Sequence, residues 1–278
     1  MLASARMDSA PLLLVAGFGD LGARVAERRL AGGAHVLGLR RREITPRPGL
    51  RGLRVDLATG AGMDRLPRRP EALLYCPAPD VRDEAAYRTL YRDGLRRLLD
   101  RLEVPRVLLV SSTAVYAQDA GEWVDEDSPA LASSFNGRVL LEAETEALLH
   151  RGGSVLRLSG LYGPGREAML RRARAGQAGA QRWSNRVHID DAAAAADIVL
   201  AAPLDQALGS WLGSDDCPAL ECDVQAWIRA REDLPAITPD AGPEQGRRVA
   251  NGRLRGLGWS PDYADFRAGY AALTEPGV

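Results

Sequence analysis

Lysine is absent from this sequence. All positive side-chain charge in its 278 residues is carried by arginine, a group that stays protonated and cannot exchange a proton near neutral pH. Cysteine is scarce: Cys76, Cys217 and Cys222 lack the spacing of a zinc site and, being three, cannot all pair. That usage points to a reducing cytoplasm. Long apolar runs are missing too. The longest, Pro11 to Phe18, falls far short of the roughly 20 residues that span a bilayer, and nothing ahead of it reads as a secretory leader. Net charge is nearly nil, −1, which gives no attraction to nucleic acid or to an anionic membrane surface. What is present is an ordinary globular balance, 46% apolar and 26% charged. The length suits one large α/β domain or a domain with a smaller companion.

Along the chain, apolar strand-like runs alternate with helical spacing. The opening "MLASARMDSA" is small and polar and reads as a frayed leader, with Met7 a second candidate start. "PLLLVAGFG" reads as a buried parallel strand and "LGARVAERRLAGG" as a helix closed by glycine. Further strands are expected at "HVLGL", "LRVDL", "ALLYCPAP", "RVLLVSS" and "SVLRLSGLYG", with helices at "AAYRTLYRDGLRRLLDRLE" and after Phe135. Strands separated by helices of this length call for α/β architecture with a doubly wound parallel sheet, a Rossmann fold, over residues 1–160. Beyond Gly160 the alternation loosens. A short helix is expected at "GPGREAMLRRARAG", a strand edge running into a helix at "RVHIDDAAAAADIVLAA", and a strand at "WLGSDD". Polar loops and a last helix close the chain. Residues 161–278 are read as a smaller substrate-side domain, with 186–202 returning to the main sheet. The alanines at 192–196 suit a helix that packs closely on its neighbours.

"VAGFGDLG" sets Gly17, Gly19 and Gly22 in a G-x-G-x-x-G pattern between the first strand and the first helix. The first glycine permits a tight turn, the second lets the backbone approach a pyrophosphate, and the third allows close helix–strand packing. Free amides and the positive helix end then face the phosphates. Gly17, Phe18, Gly19, Asp20, Leu21 and Gly22 are therefore the expected dinucleotide cradle. An NAD site normally has an acidic residue at the end of the second strand. This chain has "LRRRE" instead, with Arg40, Arg41 and Arg42. A guanidinium fork matches the 2′-phosphate of NADP, so NADP(H) is expected over NAD. Asp56, at the end of the third strand, is either an acceptor for the adenine amino group or a loop cap.

Taken together and in order, "GFGDLG", "VSSTAVYAQ", "NGRVLLEAE", "VLRLSGLYGPGR", "NRVHIDDAAAA" and "NGRLRGLGWSP" resemble the extended short-chain dehydrogenase/reductase superfamily. The likeness is to the NAD-dependent epimerase/dehydratase group and its atypical bacterial members, and it covers nearly the whole chain. It implies a nicotinamide dinucleotide on a Rossmann fold and a small-molecule substrate between two domains. It also implies a Tyr-x-x-x-Lys pair on one helix face. There the tyrosine is general acid or base, and the ammonium lowers its pKa from about 10. A Ser/Thr on the neighbouring strand holds the substrate oxygen. Ser112 matches that last position, with Ser111, also a candidate cofactor contact, and Thr113 beside it. The pair itself is missing. "NGRVLLEAE" puts Asn136 and Leu140 at the two positions, and a shift of two residues gives Ser134 and Arg138. A chain without lysine restores the pair in no register.

Loss of a positioned acid/base typically removes about 10²–10⁴-fold in rate, whereas hydride donation belongs to the cofactor. Two functions therefore stand side by side, with a scaffold that binds no nucleotide as a third option only if the glycine loop is structural. One is an NAD(P)(H)-binding, epimerase/dehydratase-like oxidoreductase with altered acid/base machinery, acting on a small sugar-like or carbonyl substrate. The other is a non-catalytic NADP(H)-binding redox sensor or scaffold. Tyr162 in "LYGPGR" and His188 in "RVHIDD" are candidate substitutes for the proton role, and both also read as packed residues. Arg166 and Arg186 are candidates for holding an anionic substrate. Cys76 lies near the expected cleft without a partner that would make it a nucleophile. Trp183, Trp211, Trp227 and Trp259 either line a substrate cleft or fill the core. The acidic stretch "GEWVDEDSPA" disfavours a nucleotide-sugar diphosphate beside it. No metal site is expected, and a homodimer through the fourth and fifth helices is implied only by the resemblance.

Overall fold

Strands covered by helices on both faces have no solvent side, so their sequences read as apolar runs rather than alternations. That is how the first part of this chain folds. The computed structural model describes residues 11–239 and 242–274; the leader with Met7 lies outside the described residues. In chain order come β1 (Leu12–Ala16), α1 (Asp20–Ala31), β2 (His35–Arg40), β3 (Leu50–Arg54), β4 (Ala72–Tyr75), α2 (Glu84–Tyr87), α3 (Gly94–Arg101), β5 (Val107–Ser112), β6 (Ala120–Val124), α4 (Phe135–Leu149) and β7 (Gly153–Leu158). They are followed by β8 (Gly160–Tyr162), α5 (Ala168–Arg174), β9 (Arg182–Ser184), β10 (Arg186–His188), α6 (Ile189–Ala201), α7 (Leu204–Ala207), β11 (Gly209–Gly213), β12 (Ala219–Leu220), α8 (Glu221–Arg231), β13 (Gln245–Val249), α9 (Gly252–Gly256) and α10 (Phe266–Thr274).

The main sheet has seven strands in the order β11-β7-β5-β4-β1-β2-β3, and every neighbouring pair is parallel. This is the doubly wound Rossmann sheet. Leu14, Val15, Leu73, Leu74, Leu108 and Leu109 on its central strands are buried. Helices α1 and α6 close one face, and α3 and α4 the other. The alanine run works as a packing surface: Ala192, Ala193, Ala195 and Ala196 are fully buried. Ion pairs Arg24–Asp190 and Arg29–Asp197 tie α6 to α1. Between β1 and β4 the strand order reverses, which opens a crevice at the carboxyl ends.

Three elements differ from the sequence-based expectation. The third strand runs over Leu50–Arg54, not "LRVDL", because it is registered on β2 from Val36↔Leu50 to Arg40↔Arg54. Val55 and Leu57 leave the sheet and plug the core instead. The strand expected over "SVLRLSGLYG" breaks at Ser159: β7 stays with β5, while β8 departs to pair with β10. The long helix before β5 contains a π-helical turn at Arg88–Asp93. Tyr75 approaches there and donates its hydroxyl to Leu90 O, and a Cβ on Gly94 would lie 2.5 Å from that hydroxyl.

A second sheet, ordered β12-β9-β13-β6, stands beside the first. The main sheet takes β11 from beyond residue 160, and the small sheet takes β6 from before it. Helices α5, α8 and α10 gather Leu170, Val224, Ile228 and Phe266 with Tyr162 and Tyr270 into a separate small core. Among the described residues no helix is long and apolar enough to cross a membrane.

Candidate functional site

The glycine loop has the backbone geometry its sequence calls for. Gly17 has φ +95°, and a Cβ there would lie 2.5 Å from Pro77 N and 2.6 Å from the Cys76 carbonyl carbon. At Gly22 a Cβ would lie 2.7 Å from Gly17 O and 2.9 Å from Val15 Cγ1. A Cβ on Gly19 would face open space, with its nearest neighbour 4.0 Å away. The amides of Gly17 and Phe18 donate to Leu39 O at 3.2 and 3.0 Å, which anchors the loop to β2. Helix α1 then starts at Asp20 with no side-chain cap, so its first-turn amides are available to a ligand. A pyrophosphate fits such a cradle. The Asp20 carboxylate is drawn aside by Arg24 at 2.9 Å and Arg166 at 3.2 Å.

The crevice has a volume of about 1340 Å³ and follows the carboxyl ends of β1, β2, β4, β5 and β7. Gly17, Phe18, Gly19, Asp20 and Leu21 line it, together with Arg40, Arg41, Asp56, Ser111 and Ser112. Gly22 sits behind the loop as its packing contact. At the mouth, Arg40 donates through Nε to Glu43 O at 3.1 Å, and Arg41 pairs with Asp80 at 2.8 Å. The Arg41 guanidinium holds the Asp80 carboxyl below its ordinary range. Arg40 itself closes β2, so no carboxylate occupies that strand end. Asp56 lines the crevice and also caps its own loop, with Oδ1 accepting from Ala58 N at 2.9 Å and Thr59 N at 3.3 Å.

Ser112 is half-buried, and its Oγ accepts from Ala114 N at 3.2 Å. Ser111 points inward and donates to Glu144 Oε1 at 2.6 Å. Glu144 in turn holds Arg157 at 2.7 Å, and Arg157 donates to Tyr116 Oη at 2.8 Å. All four of these side chains are buried, so Ser111's hydroxyl is committed to a network beneath the crevice.

Tyr162 and His188 do not join Ser112. Both are buried, with ring centroids 5.3 Å apart, and neither lines the crevice. Tyr162 packs 4.8 Å from Tyr270, and its hydroxyl has no hydrogen-bond partner among the described residues. Burial pushes its pKa well above the ordinary tyrosine range. His188 caps α6, with Nδ1 accepting from Asp190 N at 3.3 Å, and burial lowers its pKa.

Asn136 and Leu140 lie one turn apart on α4. Leu140 lines the crevice. Asn136 lines a second cavity of about 320 Å³, together with Ser134, the N-cap of α4. Arg138, the alternative-register candidate, turns to Ser133 O at 2.8 Å. The second cavity also carries Arg82, Arg182 and Arg247. Sequence reasoning missed these three because they come from distant segments and share no spacing. Arg166 lines the crevice but is engaged with Asp20, and Arg186 is buried and donates to Ser184 Oγ.

The tryptophans named from sequence line neither cavity. Trp211 and Trp259 fill the main core and donate to Ala207 O and Asp191 O. Trp227 meets Phe266 edge-on, and Trp183 lies under Arg248. Cys76 donates to Gly17 O at 3.4 Å, and burial pushes its pKa up to about 12. It braces the loop.

A parallel sheet of this order with a glycine cradle at its switch point defines a dinucleotide-fold protein. Over 211 residues the chain is 31% identical to protein YeeZ of Escherichia coli strain K12, covering 68% of this chain and 73% of YeeZ. A solved Methylobacillus flagellatus protein, assigned by name to the NAD-dependent epimerase/dehydratases, is 34% identical, with a TM-score of 0.81 over 95% of this chain and 98% of that one. A short-chain dehydrogenase/reductase superfamily protein of Agrobacterium tumefaciens, solved with bound NAD, shares the fold at 22% identity and a TM-score of 0.79, covering 95% and 96% of the two chains. No protein-family model matches the chain. The chain belongs to the NAD-dependent epimerase/dehydratase family.

Proposed function

We propose that this chain binds NADP(H) in the crevice and acts as an epimerase/dehydratase-like oxidoreductase on a small sugar-like or carbonyl substrate, with altered acid/base machinery. The observation that carries the reading is the glycine cradle, in which Gly17 and Gly22 leave no room for a Cβ and α1 starts without a side-chain cap. Gly17 through Gly22 would hold the pyrophosphate, Arg40 and Arg41 the 2′-phosphate, and Asp56 the adenine. NADP over NAD is supported by Arg40 standing where an NAD site carries a carboxylate. The bound nicotinamide would supply or accept hydride. Ser112 would orient the substrate oxygen. Asn136 can donate and accept hydrogen bonds but has no titratable proton, and Leu140 adds only an apolar wall. The scarcity of cysteine supports a cytoplasmic location.

The same two residues favour a second reading, an NADP(H)-binding sensor or scaffold without turnover, because no titratable side chain occupies either position. Fluorescence titration tests the shared part. NADPH is expected to bind at least about tenfold more tightly than NADH, in line with loss of a charge-assisted contact worth roughly 1.5–3 kcal/mol. Replacing Arg40 and Arg41 by Gln is expected to erase the difference. Equal affinities in the parent would overturn the NADP assignment, and failure of both to bind would overturn the cofactor site. NADPH oxidation over a carbonyl panel, with Ser112→Ala as control, then separates enzyme from sensor.

A further inference from the structure

The second cavity lies among the start of α4, the loop after β5, and strands β9 and β13. Three of its lining residues are arginine and one, Asp119, is acidic. Arg182 donates to Asp119 at 2.5 Å and to Gln245 at 3.3 Å. Arg247 donates to Gln118 O at 2.7 Å. Arg82 makes no ion pair among the described residues. Among the residues lining this space of about 320 Å³, three guanidiniums face one carboxylate, a positive surplus that nearby Glu122 reduces but does not remove. Burial and then the adjacent Arg182 work against the charge on Arg247, and Asp119 and Glu122 offset them only in part; an anion in the cavity would relieve the remaining penalty.

Helix α4 adds to the same field. It begins here, with no side-chain bond at its N-cap Ser134 and no acidic residue in its first turn. Its positive end is therefore not neutralised. The acidic stretch that begins in β6 does not cancel the surplus. Glu126 accepts from Leu212 N at 2.9 Å, Asp127 pairs with Arg253 at 2.8 Å, and Asp125 accepts from the Ser128 hydroxyl at 2.7 Å. Of the carboxylates in that stretch, Glu122 acts on Arg247, and the other three are engaged away from the cavity.

We infer that this cavity is an anion subsite, in which Arg82, Arg182 and Arg247 hold a carboxylate or phosphate group of the substrate. The inference rests on the reading of the neighbouring crevice as the cofactor site. Because Asn136 opens on one cavity and Leu140, one turn on, opens on the other, a substrate reacting beside Ser112 can reach the subsite along α4. The substrate class is thus a small anionic carbonyl or sugar-like compound, and not a neutral one.

Inorganic phosphate and acetate are the probes. Each is titrated into the full chain with thermal denaturation as readout, against chloride at matched ionic strength. At least one is expected to raise the midpoint, and whichever acts at lower concentration identifies phosphate or carboxylate as the group. The shift should survive Arg40→Gln/Arg41→Gln and be lost in Arg82→Gln/Arg182→Gln, the first of these two side chains being exposed and the second half-buried. Arg82→Gln alone should still weaken the apparent affinity at least threefold. No shift with either anion, or a shift that persists without Arg82 and Arg182, overturns the inference; so does a shift lost on changing Arg40 and Arg41. NADPH binding is measured on the same samples. Anion protection without NADPH binding sinks the cofactor reading alone, and the converse sinks the subsite alone.

Discussion

Glu144 sits one turn beyond Leu140 on α4 and is only 2% exposed. Its carboxylate receives Arg157 in two directions and the Ser111 hydroxyl, so it joins α4 to both β5 and β7. Removing one partner of a buried, hydrogen-bonded pair leaves the other charge unsatisfied, at about 3–5 kcal/mol. Glu144→Ala is expected to lose stability in that range by urea denaturation, and Glu144→Gln, which keeps an acceptor, to lose less. A loss below about 1 kcal/mol would mean that water replaces the carboxylate. Single residues also show where sequence reading succeeds. Gly17 and Gly22 were legible because the constraint on them is local backbone geometry. Arg82, Arg182 and Arg247 were not, because only the folded chain brings them to one cavity.

Helix α6 illustrates the next scale. Ala192, Ala193, Ala195 and Ala196 are fully buried against α1 and the main sheet, and the close approach leaves no volume for a longer side chain. Ala196→Leu is expected to cost roughly 1–3 kcal/mol by overpacking, read as a lower urea midpoint with an unchanged m-value. A neutral result would show that α6 can slide away from the sheet. This helix was legible from its alanines and its acidic start. Strands β6 and β13 were not: neither carries an apolar run, and their pairing with each other exists only in the tertiary fold. In β13 the period-two alternation is real, sending Arg247 to the second cavity and Arg248 between Trp123 and Trp183, 5.4 and 4.8 Å from their centroids.

At the scale of the molecule, Asp215 sits where the end of the main sheet meets the small core. Its backbone amide donates to Arg186 O at 2.7 Å. It is 1% exposed, and neither carboxylate oxygen has a partner among the described residues. Burial raises its pKa to about 8 against the opposing pull of Arg186, while Asp265 and Asp216 add to the rise. The unfolded chain ionises this group from its ordinary 3.8, but the folded chain keeps the proton until about 8. Over that window the folded state binds more protons, so stability falls as pH rises, with a slope approaching about 1.4 kcal/mol per unit for one proton. Asp215→Asn is expected to remove that share of the slope in denaturation free energies measured from pH 5 to 8. An unchanged slope would place the titration on another group.

The order of apolar runs, the glycine spacing and the absence of lysine fixed the sheet, the cradle and the loss of the usual acid/base pair. Each is a property of neighbouring residues or of composition, and composition needs no fold. The break at Ser159, the inward turn of Ser111, the burial of Tyr162 and His188, and the arginine-lined cavity were decided by the tertiary structure alone. In every one of these cases a side chain's surroundings come from segments tens of residues away, and no local pattern records which segments those are.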